Sequence, residues 1–200
     1  MTDWMIRLID WGGYAGVFAL MLLETMLPFI PSEVILPLAG LSAAHGPMSL
    51  PGVIVAATAG SMFGNYCWYM IARSVGRERF AGFVDRHGRW LTMDCRDLVK
   101  LERMFERYGG GIVFAARVLP GVRTFISLPA GFFGMPVWRY LFWSTAGTAI
   151  WSGLFAAAGY GVGASFGPIN HIVGPITSAT VLFFTLWYIW RQITWRRRRA

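Results

Sequence analysis

The sequence predicts an all-α polytopic membrane protein, and its composition and charge distribution indicate this fold class. Hydrophobic residue types make up 56% of the 200 residues and charged types only 14%, whereas about a quarter of a soluble globular protein is charged. No charged residue falls within residues 34–72 or 140–190. Uncharged apolar stretches of this length are typical of bilayer segments. The composition also argues against a disordered chain, and the presence of only two cysteines argues against a disulfide scaffold.

The uninterrupted apolar stretches predict three membrane spans. A span needs about 20 mostly apolar residues, and this length is available at residues 50–73, 137–160 and 174–191. The first two predicted transmembrane helices each follow an interrupted apolar stretch. The third is a further C-terminal helix.

The interrupted stretches, residues 13–44 and 111–135, predict re-entrant helical hairpins. Both contain charged residues and prolines, and proline disfavours a continuous helix because it lacks a backbone donor. Non-helical backbone at membrane depth is tolerated only where protein or a wet cavity surrounds it. We therefore expect each stretch to enter the membrane and return on the same side. The expected breaks in the two hairpins are Pro28, Pro31, Pro120 and Gly121.

Most of the charge lies outside the apolar stretches, with 15 of the 28 charged residues in residues 73–107. We predict a cytoplasmic amphipathic segment at residues 76–107, where Leu98, Leu101 and Met104 follow helical spacing. The positive-inside rule also places the basic tail, residues 192–200, in the cytoplasm, where anionic lipid headgroups are its expected partner. A separate basic recognition domain is missing, so nucleic acid is not expected as a partner despite the net charge of +8.

An internal repeat relates the two hairpins and the spans that follow them. Thr-Ala-Gly occurs at residues 58–60 and again at 145–147, and Leu-Pro-Leu-Ala-Gly at 36–40 corresponds to Leu-Pro-Ala-Gly at 128–131. With its basic end in the cytoplasm, the first span begins outside, whereas the second begins inside. The sequence therefore predicts an inverted repeat, an architecture that forms substrate sites near the bilayer midplane from discontinuous helices.

Four charged residues inside the hairpins mark the candidate site. They are Glu24 and Glu33 in the first hairpin and Arg117 and Arg123 in the second. Charges at membrane depth cost about 2.5–3.5 kcal/mol on insertion scales and usually mark a functional site. The helix breaks would let all four side chains converge on one cavity, where acids and bases neutralise one another. Two buried ion pairs that only fix hairpin packing are the structural alternative.

The paired arginines favour a phosphate ligand. Guanidinium groups bind phosphate through two parallel hydrogen bonds, and Ser32 is placed to begin a half-helix whose N-terminus would add an anion site. We therefore predict that Arg117, Arg123 and Ser32 bind the phosphate of an anionic lipid. Glu24 and Glu33 would be exchangeable counter-ions, and protonation of either would couple transport to pH.

The hairpin motifs resemble those of the DedA family of bacterial inner-membrane proteins, which share the VTT or SNARE-associated domain. The resemblance rests on Glu-Thr-Met-Leu-Pro-Phe-Ile-Pro-Ser-Glu at 24–33 and on Arg-Val-Leu-Pro-Gly-Val-Arg at 117–123. It implies a multi-pass transporter or flippase of a lipid phosphate, with undecaprenyl phosphate recycled for cell-envelope synthesis. By motif position it also implies that Glu24, Glu33, Arg117 and Arg123 are the functional acids and bases.

Other functions remain open from the sequence. A phospholipid scramblase would use the same site, and a proton-coupled exporter of small cations or drugs would use the two acids without a lipid. No histidine stands beside the paired arginines in an apolar stretch and no metal-ligand spacing occurs, so neither an enzyme nor a metal or other cofactor is expected. The lipid is then the main partner, and self-association into a homo-oligomer stays open.

Overall fold

The computed structural model of the protein describes residues 3–27, 32–91, 95–119, 122–123 and 125–166. Within these residues all regular secondary structure is helical, which confirms the predicted all-α class. The described residues form seven helices, namely α1 (Asp3–Met26), α2 (Ser32–His45), α3 (Leu50–Leu91), α4 (Cys95–Tyr108), α5 (Gly110–Val118), α6 (Ser127–Phe132) and α7 (Val137–Phe166).

The two predicted hairpins coincide with pairs of shorter helices. The first contains α2 and the part of α1 beyond Gly13, where the helix is broken by a backbone with φ of 52°. Because Gly lacks a Cβ, it adopts this conformation without steric strain. The second contains α5 and α6. The expected breaks at Pro28, Pro31, Pro120 and Gly121 lie outside the described residues.

Two of the predicted spans lie within long helices. Residues 50–73 are the beginning of α3 and residues 137–160 are the greater part of α7. In the described part of the chain, no helix combines the length and the hydrophobicity that crossing a membrane requires. The third predicted span and the basic tail, residues 174–191 and 192–200, lie outside the described residues.

The charged segment predicted at residues 76–107 is divided between two helices. Its first part continues α3, which runs through Gly76, with φ of 74°, to Leu91. Its second part is α4, whose apolar residues are unequally covered: Phe105 is buried, whereas Met104 is exposed.

Each of the two helix pairs, α1 with α2 and α5 with α6, packs against both long helices. The first helix of each pair lies on the long helix that follows it, α1 on α3 and α5 on α7. The second helix of each pair lies on the other long helix, α2 on α7 and α6 on α3. As a result, neither half of the chain buries its helix pair by itself.

Two glycines at corresponding positions allow close approach in these exchanged contacts. A Cβ on Gly40 would lie 2.0 Å from the carbonyl oxygen of Ala156 in α7, and one on Gly131 would lie 2.4 Å from that of Tyr69 in α3. Both positions therefore accept only a hydrogen without movement of a neighbouring backbone. The two glycines occupy corresponding positions in the Ala-Gly ends of the repeated hairpin motif.

Candidate functional site

A buried ion pair joins the end of α1 to the segment between α5 and α6. Glu24 lies in the last turn of α1, and Arg123 lies in the loop between α5 and α6. Nη2 of Arg123 is 2.6 Å from Oε1 of Glu24, and the two residues are only 9% and 6% exposed. The hydroxyl of Thr25 donates a hydrogen bond to the second carboxylate oxygen at 3.3 Å. A charge pair with so little solvent contact depends strongly on each partner for its stability.

Arg123 also contacts the start of α2 and the middle of α7. Its Nη2 donates to Oγ of Ser32, the first residue of α2. Its guanidinium carbon lies 5.1 Å from the ring centroid of Trp151 in α7, within the range of a cation–π interaction. Three helices, α1, α2 and α7, thus position this one guanidinium group.

Arg117, at the end of α5, is held differently. Its Nη1 donates to the backbone carbonyl of Arg123 at 2.6 Å, and its Nη2 donates to Oγ of Ser127 at 2.9 Å and to the hydroxyl of Tyr140 at 3.0 Å. It is 3% exposed. Among the described residues no carboxylate lies within 4.0 Å of this guanidinium. Arg117 therefore fixes the loop that carries Arg123 and brings a buried positive charge without a bonded counter-ion.

Asn65 of α3 completes the hydrogen-bond network around Arg117. Its side-chain oxygen accepts from Ser127 at 2.9 Å, and its backbone carbonyl accepts from Tyr140 at 3.2 Å. Its amide donates to the carbonyl of Ser61, one turn earlier, at 2.8 Å. These residues were not predicted from the sequence, although Ser61 and Asn65 are polar neighbours on one helical face inside an uncharged stretch.

Glu33 is linked to Arg123 through the hydroxyl of Ser32 rather than by a direct ion pair. It follows Ser32 in the first turn of α2, is partly buried, and accepts a long hydrogen bond of 3.5 Å from the hydroxyl of Ser32. In the described chain it forms no ion pair with either arginine. The structure therefore brings Glu24, Arg123 and Arg117 together, with Ser32 beside them, and forms one acid–base pair where the sequence suggested two.

A small polar cavity lies between these side chains. Its volume of ≈ 10 Å³ is about that needed for one water molecule, so a phosphate group does not fit without movement of the surrounding helices. Its lining comes from α1, α3, α5 and α7 and from Arg123. The residues are Glu24, Thr25, Ser61, Asn65, Arg117, Arg123, Thr148 and Trp151.

We expect Tyr140→Phe to destabilise the fold through this network. The substitution removes the hydroxyl that accepts from Arg117 and donates to Asn65, and a lost bond to a buried charged group costs about 1.5–3 kcal/mol. Thermal unfolding of the purified protein in detergent measures the change. Tyr66→Phe is the matched control, because Tyr66 packs and stacks with its ring and its hydroxyl has no hydrogen bond among the described contacts. Equal unfolding temperatures for both variants would contradict the proposed importance of the network.

Comparison with known proteins identifies the family. The VTT domain family matches residues 30–161. Undecaprenyl phosphate transporter A of Staphylococcus aureus (strain NCTC 8325 / PS 47) is 34% identical over 189 residues, which cover 93% of each chain. The protein of the same name from Bacillus subtilis (strain 168) is 31% identical over 186 residues, 91% of this chain and 90% of its own.

A third similar protein has a different kind of name. The Alkaline phosphatase-like protein of Lactococcus lactis subsp. lactis (strain IL1403) is 31% identical over 200 residues, 100% of this chain and 94% of its own. No solved structure matches the chain.

The family match covers more than half of the chain and includes the network around Arg117, the loop of Arg123 and the start of α2. The chain therefore belongs to the VTT domain family, the DedA family of membrane proteins.

Proposed function

We propose that this protein binds a lipid phosphate between its two hairpins and moves it across the bacterial inner membrane. The observation that carries the proposal is the buried ion pair between Arg123 and Glu24. An arginine with an exchangeable carboxylate partner can accept an incoming phosphate through charge-assisted hydrogen bonds. Undecaprenyl phosphate is the first candidate, because two similar proteins are named as its transporters.

The charge of the site favours an anion over a cation. Arg117 and Arg123 are both buried, and only Glu24 is paired with them. Because Glu33 is only partly buried, the buried groups alone carry one positive charge in excess, and a phosphate monoester, with about 1.5–2 negative charges at pH 7, would neutralise it. This excess argues against the export of small cations or drugs, which would need net negative charge at the same place.

Binding would proceed by exchange of anions on Arg123. The phosphate would replace the carboxylate of Glu24, and the hydroxyl of Ser32, already in contact with Nη2 of Arg123, would donate to the same phosphate. Because the cavity holds only about one water, the hairpins must separate to admit the ligand. Arg117 would keep the loop of Arg123 in position during that movement through its bond to the loop carbonyl.

The membrane topology belongs to the proposal as well. We propose that residues 13–44 and 111–135 are re-entrant, that residues 50–73, 137–160 and 174–191 span the bilayer, and that the C-terminus is cytoplasmic. The corresponding contacts of Gly40 with α7 and Gly131 with α3 support an inverted repeat. Relatives named as membrane proteins support the location. The proposed topology is tested with single cysteines added at residues 47 and 196. Their labelling from either side of the membrane of intact cells is compared.

Protonation of Glu24 would couple binding to pH. At low pH the neutral carboxyl no longer competes for Arg123, so phosphate affinity should rise as the pH falls through the titration of this group. Glu24→Gln should bind phosphate more tightly at neutral pH and lose most of this pH dependence. Glu33→Gln should change the slope less, because Glu33 makes no ion pair in the described chain. Titration with a short-chain prenyl phosphate in detergent at several pH values measures both.

The ligand's own ionisation is common to all three proteins and therefore cancels in the comparison. Identical pH slopes for the unsubstituted protein, Glu24→Gln and Glu33→Gln would contradict proton coupling. A slope lost only in Glu33→Gln would move the coupling role from the first acid to the second.

A vesicle assay tests the function directly. Purified protein is reconstituted into liposomes with labelled undecaprenyl phosphate, and the label accessible from outside is followed over time. We expect faster equilibration across the bilayer than in protein-free vesicles. Competition by unlabelled phospholipid distinguishes a phospholipid scramblase from a transporter of undecaprenyl phosphate. A rate of equilibration equal to that in protein-free vesicles would reject the proposal.

The same vesicles test hydrolysis, because one similar protein is named alkaline phosphatase-like. Release of inorganic phosphate from the labelled lipid would indicate an enzyme. We expect no release, since His45 lines a separate cavity with Asp10 and Ser42 rather than the arginine cavity.

The remaining partners are tested in the same vesicles. Omission of anionic lipid tests the proposed contact of the basic tail with lipid headgroups. Chemical crosslinking of the reconstituted protein tests self-association.

A further inference from the structure

Two buried donors in the candidate site have no hydrogen-bond partner. They are Nε of Arg117 and the indole Nε1 of Trp151. Arg117 is 3% exposed and Trp151 is 7% exposed, so solvent does not satisfy either group in the part of the chain that the structure describes. An unsatisfied buried donor destabilises a fold, and such groups in a folded protein call for an explanation.

Both residues line the small cavity beside Arg123. The remaining donors of Arg117 are largely committed, because Nη1 binds the carbonyl of Arg123 and Nη2 binds Ser127 and Tyr140. Its Nε–H is therefore a donor available to a ligand. The indole nitrogen of Trp151 can only donate. An acceptor-only group is thus the chemistry that would satisfy both positions at once.

We propose that the indole N–H of Trp151 is a third donor to the phosphate of the ligand, together with Arg123 and Nε of Arg117. The inference rests on the proposed function and extends its binding site to α7. Trp151 would act through two different parts of its ring system. Its face supports the guanidinium of Arg123, 5.1 Å away, and its edge supplies the hydrogen bond.

The contact with the ring face also explains how Arg123 could exchange partners. When the carboxylate of Glu24 leaves, the cation–π interaction with Trp151 keeps the guanidinium beside the cavity. A phosphate oxygen entering there would then meet the Arg123 guanidinium and the unpaired indole N–H. A single ordered water is the competing occupant, because the cavity has room for it.

Removal of the indole N–H separates these occupants. Trp151→Phe retains an aromatic face under Arg123 but has no donor. We expect its affinity for a short-chain prenyl phosphate, measured in detergent on the full chain, to fall by about 10- to 100-fold, from the 1.5–3 kcal/mol of a bond to a charged group. Trp143→Phe in the same helix is the matched control, because Trp143 packs on Phe114 and Phe142 away from the cavity.

An isosteric replacement covers the case in which Trp151→Phe does not fold. Incorporation of β-(3-benzothienyl)alanine at residue 151 keeps the size of the ring and replaces its N–H with sulfur. The same loss of affinity is expected. The indole N–H resonance of Trp151 is identified by its absence from both variants. In the unsubstituted protein this resonance should shift when the prenyl phosphate is added.

The outcomes distinguish this inference from the function on which it rests. If the unsubstituted protein binds the prenyl phosphate, Arg123→Gln does not, and both changes at residue 151 leave affinity intact, the role of Trp151 is overturned and the phosphate site remains. An indole resonance that does not respond to the ligand has the same meaning, and water is then the occupant. Absence of binding by the unsubstituted protein would overturn both proposals.

Discussion

Replacement of Arg123 by glutamine is expected to reduce lipid-phosphate transport in vesicles to the rate of protein-free liposomes. The guanidinium is the only group of the described site that contacts Glu24, Ser32 and Trp151 together. Glutamine can still form hydrogen bonds but has no charge to attract phosphate. Loss of one charge-assisted bond to phosphate alone would weaken binding by about 10- to 100-fold.

The single substitution also leaves the carboxylate of Glu24 buried without its partner, and breaking a buried pair in this way costs about 3–5 kcal/mol. The double variant Glu24→Gln with Arg123→Gln removes both charges and should recover much of the stability. Transport should remain absent. Arg139→Gln is the control for loss of an arginine, because Arg139 packs near Gly109 outside the cavity. Transport by the double variant at the unsubstituted rate would show that the pair is only structural.

Substitution of Gly159 by alanine should strongly destabilise the packing of α2 on α7. A Cβ at this position would lie 2.1 Å from the carbonyl oxygen of Pro37 and 2.5 Å from its Cα, so a backbone has to move. Overpacking of this kind costs about 1–3 kcal/mol, or more where backbone moves. Gly161→Ala, two residues further along the same helix, is the matched control because nothing lies within 4 Å of its added Cβ.

The two alanine variants should therefore change stability in opposite directions. Alanine at residue 161 reduces the freedom of the unfolded chain and should stabilise by about 0.4–1 kcal/mol. Thermal unfolding in detergent, followed by circular dichroism, compares both variants with the unsubstituted protein. Equal unfolding temperatures for Gly159→Ala and Gly161→Ala would mean that the close approach of α2 and α7 does not exist.

The sequence could predict the charged residues of the site, because charged side chains are unfavourable in a membrane. Charge and proline together in apolar stretches predicted that Glu24 and Arg123 would meet, although 99 residues separate them. The pairing could be predicted because a charge in such an apolar stretch is costly unless a group of opposite charge lies beside it. The all-α class followed from the same composition.

The rest of the site depends on packing that no local pattern specifies. Tyr140 reaches Arg117 because α7 packs on α5, whereas Ser127 of α6 and Asn65 of α3 meet beside Arg117 because α6 packs on α3. The sequence suggested that Glu33 would also pair with an arginine. In the structure the nearest described polar contact of Glu33 is Ser32, its neighbour in the chain. Which contact Glu33 makes depends on where its side chain lies in the first turn of α2. The repeat and the motif do not determine that position.

The exchanged packing of the hairpins sets an order for biosynthesis. While the N-terminal half emerges from the ribosome, α2 can pack on α1 and α3 but lacks its most extensive partner, α7, which is translated near the end of the described chain. One face of the nascent α2 must consequently stay uncovered, or shielded by the insertion machinery and lipid, until α7 arrives. A truncation before α7 should then yield a product recognised by quality-control proteases, because the face of α2 around Gly40 has no helix to cover it.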